Sequence, residues 1–301
     1  MDLSRFGAAP PWSLGVEEEL MLVEADTLEP ARDGFSRAFG DARGRIKPEL
    51  FESFVEITTS IVETPEEAEA ELRDLRNEVA ERAAAHGLAV LATGSHPTAR
   101  GRVPLVPVER YLRLKNQLGL QLYRQQVCGL HVHVAVPDPD MCLRAFEGVL
   151  PRLPSLLAAS ANSPYWDGAQ SGRRSIRSQI LLEMPTGGPP PILRGWDDWE
   201  AATQGDSKRR HWDTWPRPEY GTLEVRVLDQ PTSLQRTAEL AAEVQRLVRE
   251  AAEFDGPPFD RAEYAALRDE AGREGGGPEA ERQLELGPEA AVREIAARTL
   301  G

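Results

Sequence analysis

At 301 residues, 35 of them Lys or Arg and 49 Asp or Glu, the chain carries a formal charge of −14 and enough apolar residues for a sizeable core. No basic stripe interrupts that balance, which excludes nucleic acid or a broad anionic membrane surface as partner but leaves phosphate-bearing ligands open, because bound cations reverse a local field. The two cysteines, Cys128 and Cys142, supply neither a disulfide framework nor a metal-binding pair.

The N-terminus has no charged region followed by an apolar one. The longest apolar-rich run, 149–161, is broken by Pro151, Arg152 and Pro154. A soluble, cytoplasmic protein is expected. In chain order, Gly15–Val23 (G-V-E-E-E-L-M-L-V) alternates as a strand and puts Glu17 and Glu19 on one face. Asp33–Arg45 is glycine-punctuated and reads as loop with a short helix. The β-branched run Glu49–Ile61 predicts a second strand with Glu52 and Glu56 on a shared face, although Glu49, Glu52 and Glu56 also fit helical spacing. Thr64, Pro65 and Glu67 form a capping box for a helix with the apolar stripe Ala68, Leu72, Leu75, Val79 and Ala83, stopped at Gly87.

Leu88–Ala92 reads as a buried strand turned by T-G-S-H-P, whose His96 is either structural or site-lining. Tyr111, Leu114, Leu118 and Leu122 mark a helix leading to Gly129–Val136 (G-L-H-V-H-V-A-V), a strand with His131 and His133 on one face. Asp138 and Pro139 start a third helix, running with proline interruptions towards Asn162. Ser163–Pro218 loses periodicity, as a functional lid or wall does. Gly221–Asp229 alternates again, with Leu223, Val225 and Val227 opposite Thr222, Glu224 and Arg226. Thr232 or Ser233 caps a helix to about Phe254, burying Leu240, Val244, Leu247, Val248 and Ala251. Residues 255–277 are rich in Gly, Pro and charge, and Pro288–Leu300 suits a terminal amphipathic helix. One catalytic domain over 1–301 is expected, with 255–301 a diverged, partly mobile tail.

Four strand-like segments thus offer carboxylate, imidazole and guanidinium on their polar faces, and one sheet with the active site on its concave side is predicted. Several carboxylates with few imidazoles suit a hard cation such as Mg²⁺ or Mn²⁺, which usually enters with a nucleotide phosphate. Arg226 on the same sheet can then neutralise a phosphoryl group in transfer, and Arg173, Arg174 and Arg177 can bind phosphate or an anionic substrate. Neither G-x-x-x-x-G-K-[ST] nor G-x-G-x-x-G occurs. Simpler readings stand beside these: Glu17–Glu19 as a solvated strand edge, Glu224 with Arg226 as a cross-strand ion pair, and H-x-H as a half-buried structural pair. The rival from another class is a metal-dependent hydrolase with His131 and His133 on zinc or manganese. Against it, His86, His96 and His211 lack a metal-binding spacing with that pair.

Six segments in order carry a resemblance: G-V-E-E-E-L, E-L-F-E-S-F-V-E-I-T-T, A-T-G-S-H-P, C-G-L-H-V-H-V, S-A-N-S-P-Y-W-D-G and W-P-R-P-E-Y-G-T-L-E-V-R-V-L-D. Over roughly Ser13–Glu253 they resemble the family 2 glutamate-cysteine ligases, or carboxylate-amine ligases. The resemblance implies an α+β fold of the glutamine-synthetase/guanido-kinase type, a curved antiparallel sheet with helices on its outer face. It implies use of ATP and Mg²⁺ (or Mn²⁺) to phosphorylate a carboxylate, glutamate's γ-carboxylate in the type reaction, before an amine such as cysteine displaces phosphate. Matching positions assign metal to Glu17, Glu19, Glu56, His131 and Glu224. Glu49 or Glu52 adds a ligand or helps receive the amine, with Glu49 and Glu56 able to reach the metals together only across a bulge. Arg226 is assigned to the transferring phosphoryl, and Arg177, Arg174 and His133 to substrate. A homo-oligomer is compatible with this picture. Several positions depart from the family pattern: Trp215 stands where arginine is expected, Ile176 where tyrosine is, and the segment around Gly205 is short. A non-catalytic nucleotide-binding relative is therefore a third reading.

Overall fold

The computed structural model describes residues 1–40, 42–204 and 211–300, so the shortening around Gly205 lies outside the described residues. Its strands are β1 (Leu14–Glu24), β2 (Ile46–Pro48), β3 (Phe54–Thr58), β4 (Leu88–Leu91), β5 (Gly129–Ala135), β6 (Tyr165–Trp166), β7 (Ala169–Gln170), β8 (Thr214–Arg217) and β9 (Thr222–Asp229). An antiparallel sheet runs β2-β3-β1-β5-β9-β8. Met21 pairs with Phe54 of β3 on one edge of β1 and with Leu91 of β4 on the other. Thus β4 continues along β1 where β5 leaves off. β6 and β7 form a separate hairpin.

The period of two separates the faces. Val16, Leu20 and Leu22 of β1, Val132 and Val134 of β5, and Leu223 and Val225 of β9 are buried. Helices Pro65–Ala84, Pro139–Val149, Leu153–Ser160 and Leu234–Ala251 pack against these strands. The capping box forms as expected: Thr64 Oγ1 accepts from the Glu67 amide while the Glu67 carboxylate accepts from the Thr64 amide. Asp138 and Ser233 cap two of the other helices.

One polar contact lies inside this apolar layer. Glu18 and Arg76 have no exposed side-chain surface and pair through two bonds of 2.7 Å. Arg76 Nη1 also donates to the carbonyls of Thr232 and Thr299, and Glu18 Oε1 also accepts from Gln230 and Thr237. The pair therefore joins β1, the helix Pro65–Ala84, the chain leaving β9 and the C-terminal end. Arg76 was not part of the apolar stripe read from the sequence, because a buried arginine has no periodic signature.

Two expectations change. The run Glu49–Ile61 is not one strand: it starts beyond β2, turns through Glu49–Ser53 and resumes as β3. The stretch 255–277, expected to be a mobile tail, holds the helix Arg261–Glu274, with helices Pro278–Leu286 and Pro288–Arg298 following. Its anchor is polar: Asp213 accepts from the Tyr264 hydroxyl at 2.5 Å and from two Arg268 nitrogens at 2.5 and 2.9 Å, all buried. Hydropathy cannot register such an anchor. Among the described residues no helix is long and apolar enough to cross a membrane.

Breaking the Glu18–Arg76 pair leaves a buried charge without its partner. Arg76→Ala is expected to lower unfolding stability by about 3–5 kcal/mol in urea titrations, and replacing both partners with leucine to cost less than the two single changes together.

Candidate active site

The opposite face of the sheet gathers most of the predicted residues. In the register, Glu17 lies beside His131, Glu19 beside Glu56, and His133 beside Glu224. The side chains converge accordingly. His131 Nδ1 is 3.4 Å from Glu17 Oε2 and 3.9 Å from Glu224 Oε1, while its Nε2 is 3.9 Å from Glu19 Oε1. His133 Nε2 is 4.0 Å from Glu17 Oε1 and 3.9 Å from Glu224 Oε1, and its Nδ1 meets Thr222 Oγ1 at 3.0 Å. Arg226 Nη1 stands 3.5 Å from Glu224 Oε1.

A bulge shapes this face. Leu130 pairs with Leu228 but Val132 with Val225, so His131 faces both Arg226 and Val227. Arg177 holds the bulge from within the protein, donating to the carbonyls of Arg226 at 3.1 Å and Val227 at 3.3 Å and lying 3.9 Å from Asp229. Gly129 admits it, since a Cβ there would stand 2.1 Å from Arg177 Nη2. Arg177 is buried and committed to the backbone, and the geometry makes it the support of Arg226.

Glu49 and Glu56 share the site face without a bulge between them. Lys47 of β2 opposes Glu56 of β3, and Glu49 follows Lys47 by two residues. Lys47 Nζ lies 2.6 Å from Glu56 Oε1 and 3.9 Å from Glu17 Oε1, a cation that sequence reading did not single out. Glu52 points elsewhere: its carboxylate accepts from the Ser36 amide at 2.9 Å and hydroxyl at 2.6 Å, holding the start of the short helix Gly34–Phe39. Arg174 pairs with Glu281 and Arg173 with Asp269, tying the chain after β7 to the C-terminal helices.

Two further residues act on Glu224. Trp215 Nε1 and Arg217 Nη1 both donate to Glu224 Oε2, at 2.6 and 2.5 Å, and the Arg217 guanidinium lies 5.0 Å from the Trp215 ring centre. The departure at Trp215 is therefore met by an indole N–H at that carboxylate, with Arg217 supplying the positive charge two residues on. The signal for both was the alternation of W-P-R opposite T-L-E, legible only once β8 is known to pair with β9.

Electrostatics divide the carboxylates. Burial raises Glu17, yet its bond with His131 and the charges of His133 and His131 hold it down, at about 2. Burial likewise opposes ionisation of Glu224, but Arg226 and Arg217 keep it well below the ordinary range. Burial, then repulsion from Glu17 and Glu49, pushes Glu56 well up despite Lys47, and burial with Glu19 raises Glu49. Burial lowers His133 despite the opposing pull of Glu224 and Glu17. Crowded carboxylates of this kind are relieved by a cation.

The donor set fits one. Ligand atoms of Glu17, His133 and Glu224 lie within 4.8 Å of one another. Among the described residues, buried His131 Nε2 has no hydrogen-bond partner. Two oxygens to one nitrogen favours Mg²⁺ or Mn²⁺ over zinc.

His96 lies outside the cluster. Its Nε2 meets the Leu28 carbonyl at 2.8 Å and its Nδ1 accepts from the amides of Thr98 and Ala99. Burial lowers it to about 4 from 6.5. The unfolded chain therefore binds this proton first, and the stability involved is present above pH 6.5 and lost as pH falls towards 4. His96→Gln is expected to flatten the acid limb of a melting-temperature profile across that window.

Comparison with known proteins places this geometry. The model of glutamate-cysteine ligase family 2 (GCS2) matches residues 13–276. The chain is 38% identical over 259 residues to "Putative glutamate--cysteine ligase 2-1" of Rubrobacter xylanophilus, covering 82% of this chain and 69% of that protein. It is 35% identical over 254 residues to "Putative glutamate--cysteine ligase 2" of Roseiflexus castenholzii, covering 79% and 66%. Among solved structures, a bifunctional glutathione synthetase from Pasteurella multocida aligns with TM-score 0.62 and 18% identity over 96% of this chain and 46% of its own. A glutamate-cysteine ligase from Francisella tularensis in complex with AMP aligns with TM-score 0.60 and 13% identity over 99% and 80%. These two structures share the fold, and the matched region spans about two thirds of the curated relatives. By the family match over 13–276 and the identity to these relatives, the chain belongs to glutamate-cysteine ligase family 2, a family of carboxylate-amine ligases.

Proposed function

We propose that the chain catalyses ATP- and Mg²⁺- (or Mn²⁺-) dependent amide formation through an acyl phosphate, with glutamate as the carboxylate and an amine such as cysteine as the acceptor. The observation that carries this reading is the convergence of Glu17, His133 and Glu224 around one point, beside an unpartnered His131 Nε2 and within reach of Arg226. Glu17, His133 and Glu224 would hold a divalent cation there, which would supply positive charge against that developing on a phosphoryl group.

The chain's own residues account for the remaining requirements. Glu17, His133 and Glu224 would hold the cation, with His131 and Glu19 beside it and Glu49 and Glu56 further along the same face. Arg226, aimed by the bulge that Arg177 supports, would meet the transferring phosphoryl group. Trp215 and Arg217 occupy Glu224 Oε2 and leave Oε1 for the cation. Positioning and charge neutralisation suffice for this chemistry, and no protein nucleophile is needed. In agreement, Cys128 and Cys142 are fully buried and burial pushes both thiols up.

The test supplies ATP, Mg²⁺ and glutamate with cysteine and then a panel of other amines, reading ADP, phosphate and the mass of any amide. ADP and amide rising together is the expected result, and the amide names the amine. Stabilisation by ATP with no product from any pair would replace this reading with the non-catalytic one. Arg226→Ala is expected to reduce turnover about 1000-fold with an unchanged melting temperature. Trp215→Phe, which removes one donor from Glu224, is expected to weaken Mn²⁺ binding about 10-fold in a paramagnetic resonance titration.

A further inference from the structure

The half of the site face nearest β2 carries a cation of its own. Lys47 of β2, Glu56 of β3 and Glu19 of β1 form one cross-strand row, Lys47 opposite Glu56 and Glu56 opposite Glu19. Lys47 Nζ lies 2.6 Å from Glu56 Oε1, and the Thr58 hydroxyl donates to the same oxygen at 3.4 Å. Glu19 is engaged as well, since its Oε2 accepts from the Gly129 amide at 2.6 Å. Beyond the row, Nζ stands 3.9 Å from Glu17 Oε1, the oxygen that is itself 4.0 Å from His133 Nε2. The ammonium thus borders the group of Glu17, His133 and Glu224 without entering it.

The carboxylates of the row do not converge as that group does. Among the described residues, Glu17, His133 and Glu224 bring ligand atoms within 4.8 Å of one another, and neither Glu19, Glu49 nor Glu56 joins them. The Lys47–Glu56 pair is also sheltered on one side, the Glu56 side chain being 11% exposed and that of Lys47 35%, so water screens it less than a surface pair. An ammonium is a compact point charge on a flexible stem with three donors, and it sits between two carboxylates as an ion does. A divalent ion brought to Glu56 would meet that positive charge at close range and be repelled.

We propose that Lys47 stands in for a second divalent cation. It neutralises the β2–β3 half of the face, keeps Glu56 as an ion-pair partner rather than a metal ligand, and limits the face to the single ion held by Glu17, His133 and Glu224. This role rests on the reading of that group as a cation site. Removing the ammonium leaves Glu56, with Glu49 on the same face and Glu17 beyond it, as oxygen donors for a hard cation.

Paramagnetic resonance titration of the full chain with Mn²⁺ alone counts bound ions without nucleotide or turnover. About one Mn²⁺ per chain is expected for the unmodified protein and for Lys47→Arg, and about two for Lys47→Gln, the added ion being lost again in Lys47→Gln/Glu56→Gln. Glu56→Gln alone should keep one ion with affinity changed by no more than about 3-fold, and it answers the question if Lys47→Gln melts early. A Lys47→Gln chain with the unmodified number of ions, an unmodified chain that loses an ion on Glu56→Gln, or no bound Mn²⁺ in any variant would each overturn the proposal. His133→Ala separates the two readings. Loss of the original ion there places it at the cluster, whereas its retention sinks the cluster reading while a Glu56-dependent ion gained in Lys47→Gln still upholds the role of Lys47.

Discussion

The buried pair of Glu18 and Arg76 is the contact on which the arrangement of the sheet and its helices depends. Two charges taken out of water demand complete hydrogen bonding, and here both are satisfied from several chain segments at once. That requirement sets how β1, the helix Pro65–Ala84 and the C-terminal end meet. Because a strand alternates, fixing Glu18 inward turns Glu17 and Glu19 to the other face. Three consecutive glutamates thereby supply one structural anchor and two carboxylates of the carboxylate–imidazole face.

The site face has its own supports, and most lie behind it. Asp229, at the end of β9, accepts from the Asn162 amide and from the hydroxyls of Ser163 and Ser175, and Arg177 lies beside it. Gly94 packs against Asp229, and its amide donates to the Asn162 carbonyl. The segments A-T-G-S-H-P, S-A-N-S-P and S-I-R-S therefore meet at one point beneath the bulge. Their polar residues tie the β9 side of the bulge to these segments through hydrogen bonds. Arg177 illustrates the arrangement: its guanidinium is spent on the Arg226 and Val227 carbonyls and lies beside Asp229.

Family membership and fold rest on different comparisons. Identity of 38% to a relative carries the family, whereas solved structures at 13–18% identity share only the chain path. Within that path Trp215 and Arg217 grip one oxygen of Glu224, and Lys47 approaches Glu56. Each adds a donor or a positive charge to a carboxylate of the cluster. Such contacts change how strongly the face attracts cations without changing which residues form it.

By itself the sequence determined the alternating strands, and with them the grouping of Glu17, Glu19, His131, His133, Glu224 and Arg226 on polar faces. It also determined the capped helices, because period and capping chemistry are local. Glu52, Arg174 and Arg177 could not be separated from these by residue type, since a carboxylate bound to Ser36 and a guanidinium bound to Arg226 carbonyl read the same as free ones. Likewise the helix Arg261–Glu274 carries little apolar signal, because its anchor is the buried contact of Tyr264 and Arg268 with Asp213. Only the tertiary structure decided these placements, the break between β2 and β3, and the bulge opposite His131. All of them depend on partners distant in the chain, and a buried polar group is defined by its partner rather than by its neighbours in sequence.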